Sequence, residues 1–83
     1  MAKERRIGII GILINEREQA SKINNILSSY GHLILGRMGL PYKEKGISII
    51  TLNIEGNTDE IGGLTGKLGQ ISGVQVKSTM LTV

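Results

Sequence analysis

Two cationic residues in this chain sit among glycines, where each could meet an anion. Arg37 interrupts an otherwise apolar run, LILGRMGLP, between Gly36 and Gly39. A guanidinium there must find a carboxylate, another oxyanion or water. The flanking glycines let a backbone or a ligand come close. An ion pair at a subunit interface would satisfy Arg37 equally well. Lys67 lies in GGLTGKLG, a run that invites comparison with the phosphate-binding GxxxxGK[ST] loop. The register fails twice, because Ile61 occupies the first glycine position and Leu68 stands where the Mg²⁺-binding hydroxyl belongs. The run also lies inside a helix pattern rather than ahead of one. A solvated lysine is the simpler account of Lys67.

Other catalytic or metal-binding chemistry has little to stand on. His32 is the single histidine and there is no cysteine, so no set of ligands stands at metal-site spacing. Asp59 and Glu60 read as charges at a helix start. No cofactor is expected.

The glycines of the 61–76 segment need their own explanation. Gly62, Gly63, Gly66 and Gly69 fall within one helix pattern. Each costs roughly 1 kcal/mol against alanine, about 4 kcal/mol together. At about 100° per residue, Ile61, Leu64, Leu68 and Ile71 share one face. Gly62, Gly66 and Gly69 fall outside it, so packing on the chain's own sheet does not require them. A second backbone or a small ligand approaching that surface would; a poorly formed helix is the bland alternative.

The elements that position these residues follow from periodicity and caps. An apolar run over about Arg5–Ile14 predicts a strand buried on both faces. Asn15 and Glu18 then read as a capping pair for a helix whose apolar face is Ala20, Ile23, Ile26, Leu27 and Tyr30. Gly31 is suited to end it as the C′ residue. A second strand is expected over about His32–Leu40, stopped by Pro41, and a third over about Ile47–Ile54. Asn57 and Glu60 form a second capping pair, opening a helix over about Thr58–Gln70. Gly73 opens a last strand, Val74 to about Thr82.

The order is βαββαβ, a ferredoxin-like α+β sandwich with a four-stranded antiparallel sheet and two helices on one face. The 83 residues suit a single domain. In the first strand Ile7, Ile9 and Leu13 alternate with Ile10, Ile12 and Ile14, and the third strand is comparably apolar. One set must lie on the face without helices, which predicts a homo-oligomer, dimer or tetramer.

The net charge of +3 draws on Lys3, Arg5 and Arg6 and makes no dense basic stripe, so direct nucleic-acid binding is not expected. Tyr30 and Tyr42 are the only aromatics, and neither is placed on an open sheet face to stack bases. The N-terminal apolar run is short and lacks a cleavage site, and no segment could span a membrane, so a cytoplasmic location is expected. Acylphosphatases share this strand order and need an arginine and an asparagine. Arg17 and Asn53 could be nominated, but the phosphate-cradling glycine loop is missing after strand one.

The segments NEREQASKINNILS, LGRMGLP and above all IGGLTGKLGQISGVQVKS resemble the small ACT-like family named as iron-only hydrogenase system regulators. The resemblance covers nearly the whole chain. It implies an ACT-like fold, a homo-oligomer and a non-enzymatic regulatory role. It also implies kinship with the effector domain of the nickel-responsive repressor, whose site uses several histidines and a cysteine. With His32 alone nickel sensing is not expected, and with only about four residues before the first strand, where that repressor's ribbon-helix-helix segment should lie, direct DNA contact is not expected either. ACT domains hold amino acids near the turn from strand one to helix one, here Asn15-Glu16-Arg17-Glu18, without the usual Asp-x-Pro-Gly-like pattern. The candidate ligand-binding residues are therefore Asn15, Arg17, Arg37, Gly39, Gly66 and Lys67. A small effector and a partner protein are the expected partners. The alternative is an assembly protein without a ligand, its glycines serving subunit packing.

Overall fold

Alternate residues of the first apolar run enter the core, and the others face away from it. In the computed structural model, which describes residues 4–82, β1 spans Arg6–Ile14 and buries Ile10, Ile12 and Ile14. Lys3 lies outside the described residues. Strand β3 (Ile47–Gly56) pairs antiparallel with β1 and buries Ile50, Leu52 and Ile54 on the same side. The edges are β2 (Ile34–Tyr42) and β4 (Val74–Leu81), giving the sheet order β2-β3-β1-β4 with every neighbour antiparallel. Helix α1 (Ala20–Ser29) packs Ile23 and Leu27 on this face, and α2 (Thr58–Gly69) packs Ile61, Leu64 and Leu68. The ferredoxin-like βαββαβ arrangement is as the sequence predicts.

The start of α1 departs from expectation. Asn15 does not cap the helix; its amide donates to the Gly73 carbonyl at 2.8 Å, joining β1's end to the turn before β4. Glu16 is extended and precedes a 3₁₀ turn over Arg17–Gln19, and α1 begins at Ala20 with no side-chain cap. That 3₁₀ turn takes up amides at the helix start, with Gln19 N–H donating to Glu16 O at 3.0 Å. The Asn15–Glu18 capping pair is therefore wrong. Its counterpart at α2 is right: Asn57 Oδ1 accepts from the Glu60 amide at 2.8 Å, and Glu60 Oε1 accepts from the Asn57 amide at 3.1 Å.

Gly31 is not a left-handed C′ residue either. The chain leaves α1 through Tyr30 into a second 3₁₀ turn, Gly31–Leu33, which seats Leu33 fully in the interior. His32 consequently lies on this turn, and β2 starts two residues later than expected. Pro41 does not stop β2, which continues to Tyr42. As an edge strand, β2 has amides that face no partner, and a proline at such a position costs no ladder bond. The longer strand carries Tyr42 onto the face without helices, opposite Ile47, a placement the sequence reading excluded.

Gly46 and Gly73 alone among the described residues have positive φ, +67° and +75°. A Cβ at Gly73 would also run into the Glu16 carboxylate, which accepts from Ser72 Oγ at 3.2 Å. This joint fixes where the β1–α1 connection sits against β4. Gly73→Ala should lower the unfolding free energy by at least about 1–2 kcal/mol, since it forces an L residue into the left-handed region. Gly31→Ala, with negative φ and open space around its Cβ, should change it by less than about 0.5 kcal/mol. Urea denaturation of the two variants checks both values.

Candidate functional site

Antiparallel register decides which side of the sheet each β2 residue takes. Arg37 pairs with Leu52 and Gly39 with Ile50, so both lie on the side of the helices, at its uncovered margin. Arg37 reaches across to α1, where its Nη2 donates to Asn24 Oδ1 at 3.0 Å. Asn24 is neutral, and among the described residues Arg37 has no ion pair. Arg17 enters the same space from the 3₁₀ turn after β1. A cleft of about 370 Å³ lies between them, floored by Ile14 and Ile50 and edged by Ala20 and Ser48. A neighbouring cavity of about 350 Å³ shares Arg17 and Ser48 and adds Lys43, Pro41 and Ile47. Neither cavity is lined by a carboxylate.

Gly39 lies between Arg37 and Pro41 on this side, and a Cβ there would meet nothing within 4 Å. It lines neither cavity and stands opposite Ile50 of the cleft floor. Of the six candidate residues, Arg17 and Arg37 line one cleft, and Gly39 neighbours it by register. Asn15 contributes a main-chain bond nearby rather than a ligand-facing group. Gly66 and Lys67 belong to a different place. Lys67 Nζ sits 5.3 Å from the Tyr30 ring centroid, a cation–π contact at the far end of α1, whose ten residues span about 15 Å. At Gly62, Gly66 and Gly69 a Cβ would meet no atom of the chain within 4 Å, as their angular position implied. Gly63 differs: a Cβ would press on Tyr30 Oη at 2.9 Å, so this glycine serves α1–α2 packing.

Sequence reasoning missed Asn24, Lys43 and Ser48. Lys43 reads as a solvated turn residue, and nothing in the helix pattern marks Asn24. Ser48 could have been found from register, because it faces Pro41 across the β2–β3 pair. The acylphosphatase pairing fails on geometry, since Asn53 lies on the face opposite the helices and Arg17 on theirs.

A separate polar cluster gathers on Glu60. Arg5 Nη1 lies 3.7 Å from Oε1 and His32 Nε2 lies 3.5 Å from Oε2. The hydrogen bond from the Asn57 amide is the main reason that the Glu60 carboxyl titrates below its ordinary range. Partial desolvation opposes this, and the charges of Arg5 and His32 add to it. Among the described residues no group of three or more metal-ligating side chains gathers, here or elsewhere.

Residues 6–78 match the model of the TM1266-like family, described as "Iron-only hydrogenase system regulator, putative". The chain belongs to this family. The match spans β1 through most of β4, and so includes the cleft residues and the glycines of α2 alike. Among solved structures, the uncharacterized protein TM1266 from Thermotoga maritima is 42% identical, with 95% of this chain and 100% of that one covered and a TM-score of 0.90. The ACT domain of the GTP pyrophosphokinase of Chlorobium tepidum shares the fold at 23% identity, covering 90% and 86%, with a TM-score of 0.71. So does CPII, a nitrogen regulatory PII-like protein from Thiomonas intermedia K12, at 13% identity, covering 99% and 100%, with a TM-score of 0.59. No curated protein matches the chain. The family thus has an ACT-like fold, and the resemblance read from the sequence holds.

The Glu60 cluster gives a pH dependence of defined sign. A carboxyl whose pKa is lowered by folding stabilises fully above its unfolded value, about 4.3, and loses that contribution as pH falls through its folded value. Glu60→Gln should therefore lower stability at neutral pH, where the ionised carboxylate contributes in full, and the difference from the parent should shrink as pH falls below about 4.3, which flattens the variant's acid limb. Urea midpoints measured from pH 7 downward test this. Equal slopes for variant and parent would refute it.

Proposed function

We propose that this chain is a non-enzymatic regulatory module of an iron-only hydrogenase system, a homo-oligomer that responds to a small effector. The observation that supports this reading most directly is the cleft between Arg17 and Arg37. Two guanidinium groups from separate elements face one concave space, and the chain offers neither a carboxylate there. Among the residues lining the cleft, none is a general base or an activated nucleophile, which argues for binding rather than turnover. The regulatory character is drawn from the family description, and the output would pass to a partner protein rather than to DNA. No helix of the described residues is long and apolar enough to cross a membrane. A cytoplasmic location belongs to the same proposal.

The second reading, an assembly protein without a ligand, is favoured by the sheet face that the helices leave open. Ile7, Ile9 and Leu13 of β1, Ile49 of β3 and Met38 and Leu40 of β2 share that face, where Leu13, Ile49 and Leu40 stand in register across three strands. Met38 and Leu40 are 65% and 52% exposed in the isolated chain. Gly11 adds a shallow dent between Ile49 and Lys77. Apolar surface of this kind drives association at roughly 25 cal/mol per Å² buried, before the costs of ordering are subtracted. A second copy covering it would give the regulator its subunit contact, so the two readings share this face and differ in whether the cleft is used.

Native mass spectrometry of the gently purified protein separates them. The proposed function predicts an oligomer carrying added mass that Arg17→Gln or Arg37→Gln removes. An oligomer carrying no added mass in either parent or variant would favour the assembly reading, and a monomer would contradict both. Leu40→Lys should shift the oligomer to monomer by at least about tenfold in dissociation constant, measured by sedimentation, with circular dichroism unchanged.

A further inference from the structure

Resting on that effector role, we infer that the ligand of the Arg17–Arg37 cleft is a small molecule with at least two negative charges and no ammonium group. The cleft and its neighbouring cavity share Arg17 and Ser48, so Arg17 stands between Arg37 on one side and Lys43 on the other. Arg17 and Arg37 line the cleft itself, Lys43 lines the adjoining cavity, and no carboxylate lines either. A zwitterionic amino acid would satisfy an arginine with its carboxylate but leave its ammonium unpaired among like charges. A second oxyanion meets no such conflict.

The remaining groups have the same sign of preference. Arg37 spends one N–H on Asn24 and keeps the rest of its planar fork free for a bidentate oxyanion. Ser48 offers a hydroxyl, and α1 begins at Ala20 without a side-chain cap, while Glu18 of the preceding 3₁₀ turn does not line the cleft. The apolar floor of Ile14 and Ile50 suits a short carbon skeleton between the charged ends. Asn24 is the pivot of this selectivity. A carboxylate in its place would sit at hydrogen-bonding distance from Arg37, neutralise it, and provide the ammonium partner that the cleft lacks. Di- and tricarboxylates and phosphate monoesters share the required chemistry.

Isothermal titration calorimetry of the intact protein at low salt tests the assignment with succinate, citrate and inorganic phosphate, and with serine and leucine as zwitterions. At least one anion should bind at least about tenfold more tightly than either zwitterion. Binding by the carboxylates but not phosphate assigns a carboxylate ligand, and the reverse assigns a phosphate ester; either result supports the inference. Arg37→Gln and Asn24→Asp should each weaken anion binding about tenfold or more, whereas Lys22→Gln, at an exposed position of α1 that lines neither cavity, should leave it unchanged. All three positions are exposed, and circular dichroism verifies that the variants fold. Tighter binding of a zwitterion, lost in Arg37→Gln, would overturn the ligand class and leave the effector role standing. Anion binding insensitive to Arg37→Gln and Asn24→Asp, or no heat from any probe at millimolar concentration, would overturn the cleft itself and the effector role with it.

Discussion

The central strand β1 is apolar on both faces, and two helices can cover only one. Ile10, Ile12 and Ile14 are satisfied by α1 and α2, while Ile7, Ile9 and Leu13 look the other way, on the face that also carries Ile49 of β3 and Met38 and Leu40 of β2. The positions of α1, the edge strand and the cleft follow from that division. Helix α2 lies against the β4 edge, where Val74, Val76 and Met80 join the core, and the helical layer leaves the β2 margin bare around Arg37. Arg37 then reaches α1 across the gap instead of packing beneath it. The cleft is the consequence of a four-stranded sheet wider than its helical layer.

Charge completes the picture. Glu16 and Glu60 are engaged away from the cleft: Glu16 holds Ser72, and Glu60 binds Asn57, Arg5 and His32. Arg17 and Arg37 are left facing a concave space with only a neutral amide between them. Surface arginines need no partner, since water serves. Two of them converging over an apolar floor, with a lysine in the adjoining cavity, form a recognition geometry rather than a scatter of solubilising charge.

Much of the fold is legible in the sequence because its signals are local. The alternating isoleucines mark the strands, and Asn57 with Glu60 marks the start of α2 as a capping box that the structure reproduces. The failures share one physical cause. Local preference assigns Asn15, Gly31 and Pro41 to caps and a strand end, and each answers instead to a tertiary neighbour. Asn15 bonds Gly73 through its backbone, Gly31 begins a turn that seats Leu33, and Pro41 is tolerated because β2 is an edge. The candidate site is half legible. The odd residue types of Arg37 and Gly39 in an apolar strand point to the cleft, but Asn24 and Ser48 are ordinary surface residues until register and helix position bring them together. Of the α2 glycines, Gly63 alone owes its small size to a neighbour within the chain, Tyr30; the other three face open space.

The most direct test observes the arginine side chains themselves. Nitrogen-15 spectra resolve the Nε–H group of each arginine, and a bound oxyanion shifts it and slows its exchange. Adding the tightest-binding anion should move Arg17 and Arg37 together, with a common saturation, and leave Arg5 and Arg6 in place. Shifts confined to Arg5 and Arg6, or spread evenly over every arginine, would contradict an effector site between Arg17 and Arg37.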